Sequence, residues 1–159
     1  MRRLALVLVA LGTLAARLSA QTHPDFSGKW ELDPKSIEGA PAGGQVSMTL
    51  TVTQDPKIIK VAQQAKTPMG ENSTTTSYNV DGSESKNTVS NGGTSVELTS
   101  TGSWDGPVFV VVTKGEVQGQ PVTYTERWSL GPDGKTLHLQ RDITAMGQSM
   151  SLKLTFNKV

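Results

Sequence analysis

The sequence contains no cysteine, so disulfide bonds, thiolate metal sites, cysteine nucleophiles and lipid attachment through a cysteine are all excluded. It has only two histidines, whereas a zinc site commonly takes about four protein ligands. We expect His23 to lie in a mobile terminus and His138 to point outward. No serine lies in a nucleophile elbow, and no glycine-rich loop has phosphate-binding spacing. We therefore expect no metal, no cofactor and no enzymatic activity.

Aromatic residues are scarce, at 5% of the chain, and no stretch of the mature chain has apolar residues at helical spacing. Instead, the segment 45–54 alternates: Val46, Met48, Leu50 and Val52 share one side, and mainly serine and threonine share the other. A period of two residues is typical of a half-buried β-strand. The abundant valine and threonine also favour an extended backbone. The chain is therefore predicted to be all-β.

Residues 1–20 have the three-part layout of a secretory signal peptide. A basic start precedes an apolar stretch, and small residues precede a predicted cleavage after Ala20. Arg17, close to that cut, leaves an uncleaved anchor open as an alternative, although the apolar stretch is shorter than the roughly 20 residues of a membrane span. We predict a secreted or periplasmic protein, without integral membrane contact after cleavage, in which residues 21–159 form a single domain.

Signal cleavage changes the sign of the net charge. The whole chain has 15 Lys and Arg residues against 14 Asp and Glu residues, a net charge of +1. Loss of Arg2, Arg3 and Arg17 leaves 12 basic against 14 acidic residues, a net charge of −2. Phosphate backbones are held by clustered Lys and Arg, so nucleic acid is not an expected partner.

Turn-forming residue pairs divide the mature chain into short segments. These residue pairs tolerate positive φ or preset a bend. Examples are Asp81-Gly82, Gly92-Gly93 and Met146-Gly147. Short connections favour antiparallel pairing of sequence neighbours in an up-and-down meander, and closure into a barrel of eight to ten strands removes the open edges. A two-sheet sandwich is the alternative. Beyond an early strand near Gly28, strands are predicted at 45–54, 57–66, 72–80, 84–90, 94–104, 107–117, 120–130, 135–145 and 148–158.

The predicted first strand carries a recognisable motif. Phe26, Gly28, Trp30 and Leu32 match the pattern F-x-G-x-W-x-L, and "DFSGKWELD" resembles the first strand of lipocalins and fatty-acid-binding proteins, which belong to the calycin group. This resemblance implies that Phe26, Gly28 and Trp30 close the narrow end of a barrel, where a large indole fills the space and glycine allows close approach of the backbone.

Other segments favour a lipocalin-like barrel over a fatty-acid-binding protein. The segment Thr123 to Arg141 resembles a hairpin of secreted bacterial lipocalin-like proteins of unknown function. The final strand lacks the Arg-x-Tyr pair that fatty-acid-binding proteins use for a carboxylate. Residues 35–44, rich in glycine and proline, are unsuited to the two helices of that family and are predicted to form a flap or a linker.

Glu126 and Arg141 are predicted to face inward on neighbouring strands, directly opposite or one diagonal step apart. A structural role would close one barrel end or pin Trp30, with Arg141 stacked on the indole. A binding role would orient a ligand head group. A general-acid role for Glu126 has no second carboxylate to support it.

We predict that the barrel binds a small apolar or amphipathic molecule. The alternative is a barrel with a solid core that acts as a structural or interaction module through its outer surface. A cavity of roughly 300 Å3 or more would favour the ligand. The outward-facing Val108, Val110 and Val112 form a solvent-side or flap-covered surface or, as the best candidate on this chain, a homodimer contact. The predicted pocket residues are Met48, Leu50, Tyr124, Glu126, Trp128, Leu139, Arg141, Met150, Leu152 and Leu154.

Overall fold

The computed structural model describes residues 23–40, 46–68, 70–91 and 94–159. The signal peptide predicted for residues 1–20 and the turn predicted at Gly92-Gly93 lie outside these ranges. Within them, no helix has the length and apolar character to cross a lipid bilayer. The described ranges contain one 3-10 helix, Pro34–Ser36, and ten strands. The strands are β1 Gly28–Leu32, β2 Ser47–Gln54, β3 Ile58–Thr67, β4 Gly70–Asn79, β5 Glu84–Asn91, β6 Thr94–Asp105, β7 Val108–Val117, β8 Gln120–Leu130, β9 Thr136–Ala145 and β10 Gln148–Lys158.

The strands form one antiparallel sheet in the order β4-β3-β2-β1-β10-β9-β8-β7-β6-β5. The two ends of the chain meet in this sheet, since β1 pairs with β10 and Trp30 lies opposite Lys158. The predicted all-β meander barrel is therefore confirmed at ten strands, and the sandwich alternative is not adopted. Every predicted strand boundary lies within two residues of the observed one.

The barrel is nearly closed, because β4 and β5 end the strand order without a backbone ladder between them. Side chains of β5 span the opening instead. Ser77 N donates to Asn87 Oδ1 (2.7 Å), Asn87 Nδ2 donates to Ser77 O (3.1 Å), and Asn79 N donates to Ser85 Oγ (2.9 Å). The prediction that every strand pairs with its sequence neighbour is wrong here, since β5 side chains take the place of backbone donors and acceptors toward β4.

The residues predicted to close the barrel lie together at one end. Phe26 and Trp30 are fully buried, and Trp30 Nε1 donates to Phe26 O (2.8 Å). Lys158 Nζ lies 5.1 Å from the centroid of the Trp30 ring, so Lys158 and not Arg141 is the cation over this indole. Gly28 has a φ of 138°, and a Cβ there would lie 2.7 Å from Lys158 Cε. Because glycine has no Cβ, position 28 leaves room for the Lys158 side chain to reach Trp30.

Most of the scarce aromatic residues fill this closed end. Phe26 stacks on Trp104 with a centroid distance of 5.8 Å and meets Trp128 edge-on at 5.9 Å, while Trp104 lies 5.0 Å from Phe109. His23 stacks on Trp104 at 4.2 Å with 8° between the planes. The expectation that placed His23 in a mobile terminus did not include this aromatic partner. His138 is exposed, as predicted.

The described part of the segment predicted as a flap or linker extends β1 along β10. After the 3-10 turn, Glu38 N donates to Lys153 O (3.0 Å) and Lys153 N donates to Glu38 O (3.1 Å). Asp33 caps the turn, because its Oδ1 accepts from Lys35 N (3.0 Å). Residues 33–38 are thus held to the sheet, and residues 41–44 of the predicted loop lie outside the described ranges.

Candidate functional site

The interior beyond the aromatic cluster contains a cavity of about 420 Å3. This volume lies within the range of small-molecule pockets, roughly 300–1,000 Å3. A barrel with a solid core would not contain such a cavity. The described residues that line it are Met48, Leu50, Val61, Gln63, Asn72, Thr74, Thr76, Tyr78, Asn87, Val89, Leu98, Ser100, Thr113, Tyr124, Glu126, Trp128, Leu139, Arg141 and Phe156.

The structure brings together most of the residues predicted to form a pocket. The cavity includes Met48, Leu50, Tyr124, Glu126, Trp128, Leu139 and Arg141.

Three predicted pocket residues on β10 are not among those that line the cavity. Met150 is 42% exposed and pairs with Ile143 near the hairpin end, Leu152 is half-buried, and Leu154 is buried in the hydrophobic core. Alternation along a strand indicates which residues face inward but carries no information about depth along the barrel axis. The assignment of these three residues to the pocket is therefore corrected.

Glu126 and Arg141 lie directly opposite each other on β8 and β9 and form an ion pair. Arg141 Nε donates to Glu126 Oε1 (2.6 Å), Arg141 Nη2 lies 2.5 Å from the same oxygen, and Trp128 Nε1 donates to Glu126 Oε2 (3.1 Å). The Glu126 side chain is 8% exposed and that of Arg141 25%. The Glu126 carboxylate raises the pKa of Arg141 above its usual value, so the guanidinium stays charged. Both carboxylate oxygens therefore have donors.

One side of the cavity is polar, and we call it the polar wall. Its seven residues come from the consecutive strands β4 to β7 and are all uncharged. The same strands also contribute the apolar Val89 and Leu98, and the lining from β2, β3, β9 and β10 is mainly apolar, with Leu50, Val61, Leu139 and Phe156. The cavity is therefore two-sided. The polar wall comprises Asn72, Thr74, Thr76, Tyr78, Asn87, Ser100 and Thr113.

Three residues of the polar wall are buried and linked by hydrogen bonds. Asn87 Nδ2 donates to Ser100 Oγ (3.3 Å), and Ser100 Oγ lies 2.8 Å from Thr113 Oγ1. Ser100 is 1% exposed. Sequence reasoning missed these residues. Ser100 is two residues from Leu98, and Thr113 is two residues from Val111, so each shares a strand face with an inward-facing apolar residue. Their burial and mutual contact depend on pairing across strands.

Tyr78 adds a phenol to the same wall. It is 7% exposed, and burial raises its pKa well above the ordinary value, with a further contribution from the nearby negative charge of Glu126. The hydroxyl therefore stays protonated at neutral pH and can donate a hydrogen bond into the cavity.

Replacing Asn87 with alanine is expected to loosen the β4–β5 opening, because the Ser77 N–H and C=O both lose their side-chain partner. Leaving buried polar groups unpaired destabilises a protein by about 1–3 kcal/mol, so a loss in that range is expected. Hydrogen exchange should report faster exchange at the Ser77 amide. Ser90→Ala on the same strand, which removes an exposed hydroxyl pair, is the control and should change neither quantity. Unchanged Ser77 exchange in Asn87→Ala would contradict the bridging role.

No protein-family model and no curated protein matches this sequence. Solved structures do match its fold. Zebrafish ileal bile acid-binding protein, complexed with cholic acid, aligns with a TM-score of 0.58 and 19% identity, over 84% of this chain and 98% of that one. Secretory abundant heat soluble protein 4 from Ramazzottius varieornatus aligns with a TM-score of 0.55 and 19% identity, over 87% and 97%.

A further secretory abundant heat soluble protein of Ramazzottius varieornatus, crystallised from a dimer sample, aligns with a TM-score of 0.58 and 14% identity, over 87% of this chain and 98% of that one. At these identities the likeness concerns the fold. The calycin-like barrel implied by the motif around Trp30 is therefore confirmed.

Proposed function

We propose that this calycin-like barrel is an exported protein that binds a small amphipathic molecule in its cavity without catalysing a reaction. The observation that carries the proposal is a cavity of about 420 Å3 with a polar wall on one side and apolar side chains on the other. A pocket of this kind, mostly preformed and with a few polar groups, suits a ligand with one polar and one apolar part.

The polar wall supports an amphipathic ligand over a wholly apolar one, the two ligand classes that the sequence left open. A wholly apolar ligand would displace water from the wall without replacing its hydrogen bonds, which is unfavourable. An amphipathic ligand would satisfy those groups and still bury apolar surface against Leu50, Leu139 and Phe156. The match to a bile acid-binding protein that holds cholic acid also supports small-molecule binding.

The proposal assigns no catalysis to the cavity. Glu126 is the carboxylate among the described lining residues, and both of its oxygens accept hydrogen bonds in the structure. Among the described residues, no three His, Asp or Glu side chains form a group that could hold a metal ion. Binding, with the Glu126–Arg141 pair as a polar foothold for the ligand, is the role that this geometry supports.

A homodimer remains part of the proposal. Val108, Val110 and Val112 alternate with the buried Phe109 and Val111 and lie half-buried on the outer face of β7. The matched protein from a dimer sample supports self-association of barrels with this fold.

The binding proposal predicts saturable 1:1 binding of Nile red, an uncharged polarity-sensitive dye, to the protein produced from the whole sequence through an export pathway. Thr74→Trp should abolish that binding, because the indole would occupy the cavity from β4. Thr75→Trp is the matched control, since residue 75 is exposed and the same substitution there should leave binding intact. Dye binding is read from fluorescence and stoichiometry from native mass spectrometry, with circular dichroism to verify folding.

Absence of saturable dye binding to the wild type, or equal binding by the Thr74→Trp and Thr75→Trp variants, would contradict a ligand site in the cavity. The intact mass of the same preparation tests export. It should correspond to residues 21–159, whereas the mass of the whole chain would contradict cleavage after Ala20.

A further inference from the structure

The charge of the cavity narrows the class of ligand that it can accept. Glu126 and Arg141 are the two charged residues among the described residues that line it. They are bound directly to each other, with Arg141 Nε 2.6 Å from Glu126 Oε1. The lining therefore carries one positive and one negative charge in direct contact and no net charge.

A charged ligand would have no free counter-ion in this cavity. Burying an ionised group without a partner of opposite charge is strongly unfavourable. A carboxylate that displaced Glu126 from Arg141 would leave the Glu126 side chain, which is 8% exposed, as a buried anion without its cation. A carboxylate that accepted from another guanidinium nitrogen would instead place a second anion beside Glu126 with one cation between them. An ammonium group beside Glu126 would likewise compete with Arg141, so none of these arrangements offers a gain to offset ligand desolvation.

Groups that bind neutral polar atoms are present. Arg141 Nη1 has no hydrogen-bond partner among the described residues, and Arg141 is 25% exposed, so it can donate to an oxygen in the cavity. The polar wall offers amide and hydroxyl groups of Asn72, Thr76 and Thr113, which both donate and accept.

We infer that the ligand is an uncharged amphipathic molecule whose polar part is a hydroxyl or amide group, and that the cavity discriminates against carboxylates and amines of the same chain length. This inference rests on the proposed function and specifies its ligand class. The raised pKa values of Arg141 and Tyr78 agree with it, because they keep the guanidinium charged, and so paired with Glu126, and the phenol neutral around pH 7.

The test compares four ligands with the same ten-carbon chain: 1-decanol, decanamide, decanoate and decylammonium. Each is used to displace Nile red from the wild-type protein at pH 7, where the acid is ionised and the amine protonated. We expect the dissociation constants of 1-decanol and decanamide to be at least about 10-fold lower than those of the two ions, a difference of about 1.4 kcal/mol. The wild type alone decides this comparison.

A variant tests whether Glu126 causes the discrimination against anions. Glu126→Gln removes the negative charge and leaves Arg141 as a free cation in the cavity, so decanoate should gain at least about 10-fold in affinity relative to 1-decanol. Glu71→Gln is the matched control, because it removes the carboxylate of an exposed ion pair with Lys66 and should change neither affinity. Thermal unfolding of each variant establishes that it folds cooperatively.

The inference is overturned if decanoate or decylammonium displaces Nile red from the wild type as well as 1-decanol does, or if none of the four displaces it. A folded Glu126→Gln variant with unchanged preference would also overturn it. These outcomes differ from failure of the proposed function, in which Nile red itself does not bind to the wild type.

Discussion

Replacing Trp30 with alanine is expected to lower the free energy of unfolding by about 4 kcal/mol, the range for removing a buried large aromatic side chain. The indole is fully buried in the core cluster, so its removal leaves a cavity that the rigid barrel end cannot fill. The variant also loses the hydrogen bond from Trp30 Nε1 to Phe26 O and the contact with Lys158. Since a domain is stable by only about 5–15 kcal/mol, this change is severe.

The effect is measured by urea unfolding, with tryptophan fluorescence and circular dichroism as independent probes. Trp30→Phe is the matched variant, because it keeps an aromatic ring but loses the hydrogen bond and part of the volume. It should retain more than half of the stability that Trp30→Ala loses. A loss below about 1 kcal/mol in Trp30→Ala would mean that the closed end lies outside the cooperative core.

Replacing Arg141 with alanine is expected to cost about 3 kcal/mol, since removing one partner of a buried ion pair leaves the other charge uncompensated. The Glu126 side chain is 8% exposed and would retain only the hydrogen bond from Trp128 Nε1. The loss of stability therefore comes mainly from the Glu126 carboxylate, which is left buried without a cation, and not from the missing guanidinium contacts.

A double variant separates those two causes. Adding Glu126→Gln to Arg141→Ala removes the unpaired buried charge, so the double variant should be more stable than Arg141→Ala alone in urea unfolding. Lys66→Ala, which breaks an exposed ion pair with Glu71, is the control and should cost less than about 1 kcal/mol. If Arg141→Ala costs no more than Lys66→Ala, water in the cavity screens Glu126, and the pair is not a buried one.

The strands were predictable because their signals are local. Alternation of apolar and polar residues indicates an extended backbone, and a residue pair that tolerates positive φ indicates a reversal of the chain direction. Gln118 and Gly119 have φ values of 52° and 74°, and Met146 and Gly147 have 52° and 73°, as two-residue turns between twisted strands require. Each of these signals lies within a single strand or turn, so no knowledge of distant contacts was needed.

Part of the candidate site followed from the same signals. Glu126 and Arg141 share strand faces with Trp128 and Leu139, which placed both charges inside a barrel. Whether they lay opposite or diagonal depended on the register of the turn between β8 and β9, and the structure pairs them directly. Sequence alternation could not show that Trp128 also donates to Glu126, because that contact depends on side-chain rotamers.

The sequence by itself determined the all-β meander, the inward direction of the charged pair and the residues at the closed end, since each depends on short-range periodicity or a short motif. Only the tertiary structure decided the β4–β5 opening, the polar wall, the depth of Met150 and the identity of the cation over Trp30. Those features depend on how different strands meet in space, and the contact of Lys158 with Trp30 forms only after closure of the sheet brings β10 beside β1. Two-residue periodicity within one strand cannot specify such contacts.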